Sequence, residues 1–278
     1  MIPEPQRTYL LELLTALGPA ADSLILVGGQ AVRFMIARPR ATRDFDFVLD
    51  VACLRTNQAV MAPILERLRY SPVDNARNFQ FEKPIQNSGE VMRIEFLAPA
   101  EFSRGNDIRV DVQEGIHGRA CLGGSIVILE TDQHEIAGSL PDGTPAQASV
   151  RVTRPHALTM LKLIAMDERY RNLRGTAHAE HDRQEAQIHT GDIVAVMTAQ
   201  TDLEEFRRRF SAQFGDDVDL KNRSYQIIRD YFGEQSSPGM ILYSEALIRE
   251  RASASVRDLS SEVRRAQRFV SFLLMESY

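Results

Sequence analysis

Two aspartates lie two positions apart in a short apolar segment, RDFDFVLD, at residues 43–50. Successive side chains of a β-strand point to opposite faces, so Asp44 and Asp46 would share one face while Phe45 and Phe47 enter the core. Neighbouring carboxylates repel each other, and a cation between them relieves that repulsion. Mg²⁺ takes hard oxygen ligands and commonly keeps substrate phosphates as well. The spacing therefore predicts a magnesium site for phosphoryl chemistry.

The same spacing has a plainer interpretation, in which both carboxylates lie on a solvated sheet face and pair with Arg40 and Arg43. Two features favour the metal site. Gly28 and Gly29 end a short apolar strand and begin a helix, a place where backbone N–H groups and the helix dipole bind phosphate. Glu95, in MRIEFLAP, is a single acid inside another apolar strand, and on the same face it would be a third ligand. Three carboxylates could hold two Mg²⁺ ions, which would activate a hydroxyl and stabilise the leaving pyrophosphate.

The elements that must position these residues follow from apolar periodicity and from glycine and proline stops. The predicted elements of the first hundred residues are a helix at 5–17, strands at 24–27, 44–49, 79–81 and 91–97, and helices at 30–37 and 53–68. From about 100 to 153 we expect short strands, among them SIVILE (125–130) and a hairpin around a Pro-Asp-Gly turn. Beyond Pro155 we expect only helices, at 155–169, 180–199, 201–213, 217–232, 239–251 and 257–276. The predicted fold is α+β, with a small mixed β-sheet and flanking helices in a domain at 1–153 and a helical domain at 154–278.

Composition excludes several classes of protein. The chain has 278 residues, 44% of them hydrophobic and 26% charged, which is typical of a globular protein. The net charge of −5 argues against a surface coated with positive charge for nucleic acid. No apolar stretch approaches the roughly 18–20 residues that cross a membrane, and the first residues lack the pattern of a signal peptide. Two cysteines are too few for a disulfide framework, so we predict a cytoplasmic protein without a membrane partner.

The order of these motifs resembles the DNA polymerase β-type nucleotidyltransferase superfamily. A glycine pair is followed by Arg-x-Thr-x-Asp-x-Asp at 40–46 and then by a lone acid on a later strand. The resemblance implies a triphosphate site on the glycine turn and three acids that hold two Mg²⁺ ions. The chain departs from the pattern at the third acid, where Asp is commoner than Glu, and Asp111 in IRVDVQEG is the alternative. The residues that the resemblance assigns are Gly28, Gly29, Arg40 and Thr42 for the NTP, and Asp44, Asp46 and Glu95 for the metal ions.

A downstream segment narrows the resemblance. VRVTRPHALTMLKLIAMDERY, at 150–170, is similar to a segment of AbiEii-type abortive-infection toxins and related nucleotidyltransferase-like proteins. In that group a helical lysine and a later aspartate complete the catalytic site, and the matching residues here are Lys162 and Asp192, with Asp182 as the alternative. The resemblance covers about 25–195. Since Lys162 has apolar helical neighbours, its ammonium either extends to solvent or faces a buried anion. We expect it to reach the cleft of the two aspartates and to bind the NTP there.

These observations predict a Mg²⁺-dependent enzyme that transfers a nucleotide from an NTP to a hydroxyl acceptor. The resemblance favours tRNA or another RNA as the acceptor, ahead of a small molecule or a protein, and implies a toxin with a cognate antitoxin. Basic stripes at 207–210 and 263–270 are either solvated helix faces or contacts to such an RNA. The alternative function is a non-catalytic nucleotide- or partner-binding protein of a defence or toxin–antitoxin operon. Such a protein has no need for three acids on one face.

Overall fold

A computed structural model of the protein describes residues 2–56, 60–76, 78–86, 88–105, 107–171, 178–250 and 256–275. The chain divides into two compact units, Met1–Arg154 and Pro155–Tyr278. Within the described ranges, the strands belong to the first unit and the second unit is helical. None of the helices described is long and apolar enough to span a membrane.

The first unit is built on one mixed β-sheet. Its strands are Leu24–Val27 (β1), Phe45–Leu49 (β2), Ser71–Pro72 (β3), Gln80–Pro84 (β4), Val91–Pro99 (β5), Arg109–Gln113 (β6), Ile116–Cys121 (β7), Thr131–Ser139 (β8) and Pro145–Thr153 (β9). They are ordered β3-β4-β5-β2-β1-β9-β8, with β7 paired to β5 and β6 paired to β7. The pairs β1–β9, β2–β5 and β5–β7 are parallel, and the other pairs are antiparallel.

Helices flank this sheet and make up the second unit. Those of the first unit are Gln6–Leu17 (α1), Gly28–Met35 (α2), Val51–Thr56 (α3), Met61–Arg67 (α4) and Gly124–Leu129 (α5). Those of the second unit are Pro155–Arg171 (α6), Ala179–Thr198 (α7), Leu203–Ala212 (α8), Val218–Phe232 (α9), Pro238–Glu250 (α10) and Val256–Ser271 (α11). Short 3-10 turns cover Gly18–Ser23, Ala100–Phe102 and Phe272–Leu274. The α+β prediction is confirmed.

The sheet is apolar on one face and polar on part of the other. On β2, Phe45 and Phe47 are fully buried, as their alternation with the aspartates predicts. Lys83 of β4 lies on the same apolar face and forms an ion pair with Glu12 of α1, so α1 covers that face. Burying a phenylalanine ring stabilises the fold by roughly 2–3 kcal/mol. The apolar face therefore fixes the register of β2, and the register in turn fixes where Asp46 lies.

Two sequence predictions in this unit need correction. The SIVILE run forms the helix α5, because Gly123 with φ 77° begins a turn there and the new helix packs against β2 and β5. A short β-branched run resembles a strand until such tertiary contacts decide. The helix predicted at 53–68 is two helices, α3 and α4, and residues 57–59 between them lie outside the described part of the chain. The hairpin around the Pro-Asp-Gly turn is confirmed as β8 and β9.

Candidate active site

The junction between β1 and α2 brings Asp46 against the glycine turn. Val27, the last residue of β1, is the register partner of Asp46 on β2, and α2 begins at the next residue, Gly28. Gly28 has φ 65°, and a β-carbon there would lie 1.7 Å from Oδ2 of Asp46. Only glycine leaves room for this carboxylate and adopts this φ without strain. The Asp46 carboxylate consequently packs directly on the backbone where α2 starts.

The loop before β2 folds back over the same helix terminus. A β-carbon at Gly29 would lie 2.9 Å from Nη2 of Arg40 and 3.0 Å from Cγ2 of Thr42. The buried Gln30 side chain donates from Nε2 to the carbonyl of Thr42 at 3.1 Å, and Arg33 donates from Nη2 to the carbonyl of Arg40 at 2.9 Å. These bonds hold a guanidinium at the N-terminal turn of α2, where the helix dipole also favours an anion. Four of the five residues predicted to bind the NTP, Gly28, Gly29, Arg40 and Thr42, thus meet at one turn, and the fifth, Lys162, lies in the second unit.

The two aspartates differ in their surroundings. Asp46 lies within β2 and is half-buried, whereas Asp44 precedes the strand and is exposed. The predicted strand, which began at residue 44, is therefore one residue too long at its start. In the plainer interpretation both carboxylates pair with Arg40 and Arg43. Arg43 instead forms an ion pair with Glu90, with 2.8 Å between Nη2 and Oε1.

Glu95, and not Asp111, is the acid that lies beside Asp46. Glu95 on β5 is the register partner of Asp46, and cross-strand partners share a face of the sheet. Asp111 lies on β6, which pairs with β7 beyond β5, and its carboxylate is 3.4 Å from Nε2 of His117 and 3.6 Å from Nε of Arg109. The structure therefore separates the two acids that the sequence leaves as alternatives.

The positions of these carboxylates can be compared with the ligands that Mg²⁺ requires. Within the described ranges, no group of three or more histidine, cysteine, aspartate or glutamate side chains is arranged to hold a metal ion. Mg²⁺ is nevertheless commonly held by one or two carboxylates together with substrate phosphates and water. Asp44 and Asp46 fit that smaller requirement, because the Asp46 carboxylate lies against the backbone where α2 starts and the Arg40 guanidinium lies against Gly29 beside it.

In the second unit, Lys162 and Asp192 form a buried ion pair. Nζ of Lys162 on α6 is 2.9 Å from Oδ2 of Asp192 on α7, and the two side chains are 7% and 4% exposed. The Lys162 ammonium therefore faces an internal carboxylate and does not extend to solvent. Asp182, the alternative, is fully buried and is bonded by Arg169, with 3.0 Å between Nη1 and Oδ1. The pairing of Lys162 with Asp192 is observed, and the part that it plays in catalysis stays a prediction.

The basic stripe at 207–210 is largely neutralised within α8. Arg208 and Arg209 both bond Glu205, and the hydrogen bond from Arg208 is the main reason that the pKa of this exposed carboxyl is lowered to about 2. Arg207 is only 11% exposed and donates to the carbonyl of Met275 at 2.7 Å. In the stripe on α11, Arg265 lies over the ring of Phe269. The first stripe thus belongs to the packing of its own unit.

Sequence reasoning assigned no role to Gln30, Gln80 and Arg119. Gln30 follows the glycine pair directly, and that position was a usable signal. Gln80 adjoins the predicted strand at 79–81, and its amide donates to Glu95 at 2.9 Å. Arg119, which donates to the same carboxylate at 2.8 Å, lies on a strand that no pattern in the sequence predicted. Its partner is 24 residues away in the chain, and local periodicity carries no information about such a contact.

Two comparisons with known proteins complete this description. The family model described as "Nucleotidyl transferase AbiEii toxin, Type IV TA system" matches residues 11–217 of the chain. This range includes the glycine turn, both aspartates, Glu95, Lys162 and Asp192. A search among curated proteins found no match.

Proposed function

Since the chain belongs to the AbiEii nucleotidyl transferase toxin family, we propose that it transfers a nucleotide from an NTP to a hydroxyl acceptor. The observation that carries this proposal is the cradle at the start of α2, where the Asp46 carboxylate lies against Gly28 and the Arg40 guanidinium lies against Gly29. The turn offers a positive charge, a helix dipole and a carboxylate that would bind a metal ion in one place. A triphosphate with its magnesium ion is the ligand that uses all three.

In this proposal the β- and γ-phosphates occupy the N-terminal turn of α2. Arg40 neutralises their charge and would also stabilise the pyrophosphate as it leaves. Gln30 and Arg33 hold the loop that carries Arg40 and Thr42, so the site is preorganised before the NTP binds. The acceptor hydroxyl loses its proton to water, its oxygen bonds to the α-phosphorus, and the bond from that phosphorus to pyrophosphate breaks.

Asp44 and Asp46 are the residues that would hold magnesium. Bound Mg²⁺ would polarise the phosphate oxygens and offset the charge that develops in the transition state. Asp46 is placed by its strand register and by Gly28, and Asp44 lies two residues earlier, where it can reach the same side of β2. The Lys162–Asp192 pair, which lies in the second unit, is a further proposed participant that the family resemblance implies.

The partners in this proposal are an NTP, an RNA acceptor such as tRNA, and a cognate antitoxin. The antitoxin is implied by the toxin–antitoxin type in the description of the family. The RNA acceptor has the weaker support, because the chain carries a net charge of −5 and one of its two basic stripes is neutralised. The second function, a non-catalytic nucleotide- or partner-binding protein, is favoured by one observation, the engagement of Glu95 by Arg119 and Gln80.

Transfer can be tested with the four NTPs, each labelled at the α-phosphate, together with Mg²⁺ and a total RNA pool. The wild-type protein is expected to attach label to RNA, and Asp46→Asn is expected to lower the rate on the order of 10²-fold or more. Asp132→Asn, at an exposed carboxylate on β8 of the same sheet, serves as the matched control and should retain the wild-type rate. Equal rates for Asp46→Asn and wild type would exclude the proposed site. Binding of NTP without any transfer to RNA, protein or small acceptors would favour the binding protein.

A further inference from the structure

Arg33 is a guanidinium beside the proposed triphosphate site that is not paired with an acid. It lies on α2, and its Nη2 donates to the carbonyl oxygen of Arg40 at 2.9 Å. With the described residues it forms no ion pair, and its Nε is buried without a hydrogen-bond partner. A guanidinium has five N–H donors, so the bond to Arg40 uses a small part of its capacity. Arg43, on the same loop as Arg40, is instead paired with Glu90.

The surroundings of Arg33 disfavour its positive charge. Burial lowers the pKa of the Arg33 guanidinium, and the charge of Arg40 lowers it further. Water solvates a half-buried cation incompletely, and a second cation nearby repels it. A bound anion offsets both effects. The two arginines together are therefore suited to an anion that reaches both of them.

The helix places Arg33 one turn beyond the glycine pair. Residues four apart lie on the same side of an α-helix, so Arg33 lies on the side where the Arg40 guanidinium packs against Gly29. Long side chains on a helix lean toward its N-terminus, which directs Arg33 back toward that turn. The Asp46 carboxylate lies against Gly28, and Arg33 follows Gly29 at about one helical pitch, roughly 5.4 Å. Starting from the proposed metal ligand, the order along α2 is therefore Asp46, Arg40, Arg33.

We propose that Arg33 binds the terminal phosphate of the NTP and is a specificity-determining residue for triphosphates. This inference rests on the proposed nucleotidyl transfer. In that reaction the α-phosphate lies at the metal ion, and pyrophosphate leaves away from it. Along α2, the β-phosphate then meets Arg40 and the γ-phosphate meets Arg33. A nucleoside diphosphate leaves Arg33 without an anion and should bind more weakly.

Arg33 also holds the loop that carries Arg40, so its direct and indirect effects on affinity have to be separated. A double-mutant cycle with Arg40 makes this separation. If Arg33 acted only by placing Arg40, its substitution would have no further effect in an Arg40→Gln background. A direct contact with phosphate gives a loss of affinity in both backgrounds.

Binding of a non-hydrolysable NTP analogue, and of the matching nucleoside diphosphate, is measured by calorimetry in the presence of Mg²⁺. The proteins are the wild type, Arg33→Gln, Arg33→Lys, Arg40→Gln and the double variant Arg33→Gln/Arg40→Gln. Arg43→Gln is the matched control, because Arg43 lies on the same loop and is paired with Glu90 at 2.8 Å. The melting temperature of each protein is recorded, so that a loss of fold is recognised.

The expected results differ by ligand and by variant. Arg33→Gln should weaken binding of the triphosphate about tenfold, which is the effect of losing a charged hydrogen bond, and binding of the diphosphate by at most about twofold. The loss for the triphosphate should persist, within about threefold, in the Arg40→Gln background. Arg33→Lys keeps the charge without the planar fork and should lose less than Arg33→Gln. Arg43→Gln should bind both nucleotides as the wild type does.

The contrary results are also distinct. Equal affinity of Arg33→Gln and the wild type for the triphosphate would overturn the inference and leave the proposed function standing. Equal losses for the triphosphate and the diphosphate, or no further loss in the Arg40→Gln background, would make Arg33 a support for the loop and overturn it as well. A wild-type protein that binds no NTP analogue would reject the proposed function itself, and the inference with it.

Discussion

Asp46 is fixed by neighbours that differ in kind. The pairing of β2 with β1 places Asp46 opposite Val27. Because Gly28 has no side chain, the Asp46 carboxylate fills the space beside it. Glu95 faces the same side from β5, held by donors of its own. The charged side chains of the site lie next to one another across three strands, and each is held in place by different neighbouring residues. Among these carboxylates, Glu95 is the one whose two oxygens accept hydrogen bonds from Gln80 and Arg119.

The buried pair of Lys162 and Asp192 gives a prediction at the same scale. Removing one partner leaves the other charge buried without its counterion, so Lys162→Met should lower the free energy of unfolding by about 3–5 kcal/mol. Lys162→Met combined with Asp192→Leu should recover most of that loss, because neither charge then remains. Denaturant unfolding of the wild type, both single variants and the double variant measures the coupling. A double variant no more stable than Lys162→Met would show that an unpaired buried charge is not the cause of the loss.

At the scale of elements, the turn between β1 and α2 gives the second prediction. Gly28→Ala should abolish nucleotide transfer, because its β-carbon would occupy the space of Oδ2 of Asp46 and force that carboxylate away. The positive φ of Gly28 adds roughly 1–2 kcal/mol of strain. Transfer and thermal stability are measured together, so that loss of activity can be separated from loss of fold.

Gly18 provides the matched control for this turn. It also has a positive φ, 55°, but nothing lies within 4 Å of the β-carbon it would gain. Gly18→Ala should therefore show the strain without the displacement, with a lowered melting temperature and retained transfer. Equal loss of activity in both variants at matched stability would mean that backbone strain, and not the Asp46 carboxylate, explains the effect.

The elements that position the site could be predicted to different extents. β1, β2 and β5 followed from short apolar runs with single acids, and the helices beyond Pro155 followed from their period, with ends that differ by a few residues. The pairing of strands did not follow, because register depends on contacts between distant segments. Glu95 was therefore predicted as a site residue only because it is a single acid in an apolar segment. Arg119 was missed, because its contact with Glu95 depends on strand pairing. The α5 helix was missed because its β-branched residues favour a strand in isolation.

Helix packing in the second unit gives a prediction for alkaline pH. Tyr231 on α9 is buried, with its ring against that of Tyr170. Burial raises the pKa of the Tyr231 hydroxyl to about 12, although a hydrogen bond from Arg171 lowers it. The ordinary value is 10.0, so between about pH 10 and 12 the unfolded chain loses this proton first. The free energy of unfolding should then fall as pH rises through that range, and the contribution is complete below it.

Tyr231→Phe removes the titrating group and should flatten this part of the pH profile. Unfolding of the wild type and the variant is compared at closely spaced values of pH. Burial also raises the pKa of Tyr70, but that residue is the same in both proteins, so the difference between the two profiles isolates Tyr231. Parallel profiles between pH 10 and 12 would show that this tyrosine titrates alike in the folded and unfolded states.

At the scale of the whole molecule, the family match extends from the sheet into the helices of the second unit and ends at residue 217. The helices α9, α10 and α11 lie beyond it. The residues proposed to bind the NTP and the metal lie within the matched range. The chemistry proposed for this chain is therefore tied to the part that it shares with the family.

The last prediction concerns the effect of the protein on a cell. A chain of this toxin family is expected to stop growth when it is produced alone in a bacterial host. If growth arrest results from nucleotide transfer, Asp46→Asn should relieve it completely, because this carboxylate, which lies against Gly28, is the proposed metal ligand. Glu82→Gln, which changes an acid on the same face of the sheet outside the proposed site, should remain as toxic as the wild type. Growth curves are compared at equal protein levels, verified by immunoblot. Arrest by Asp46→Asn at the wild-type level would separate toxicity from transfer and support a protein that acts by binding a nucleotide or a partner.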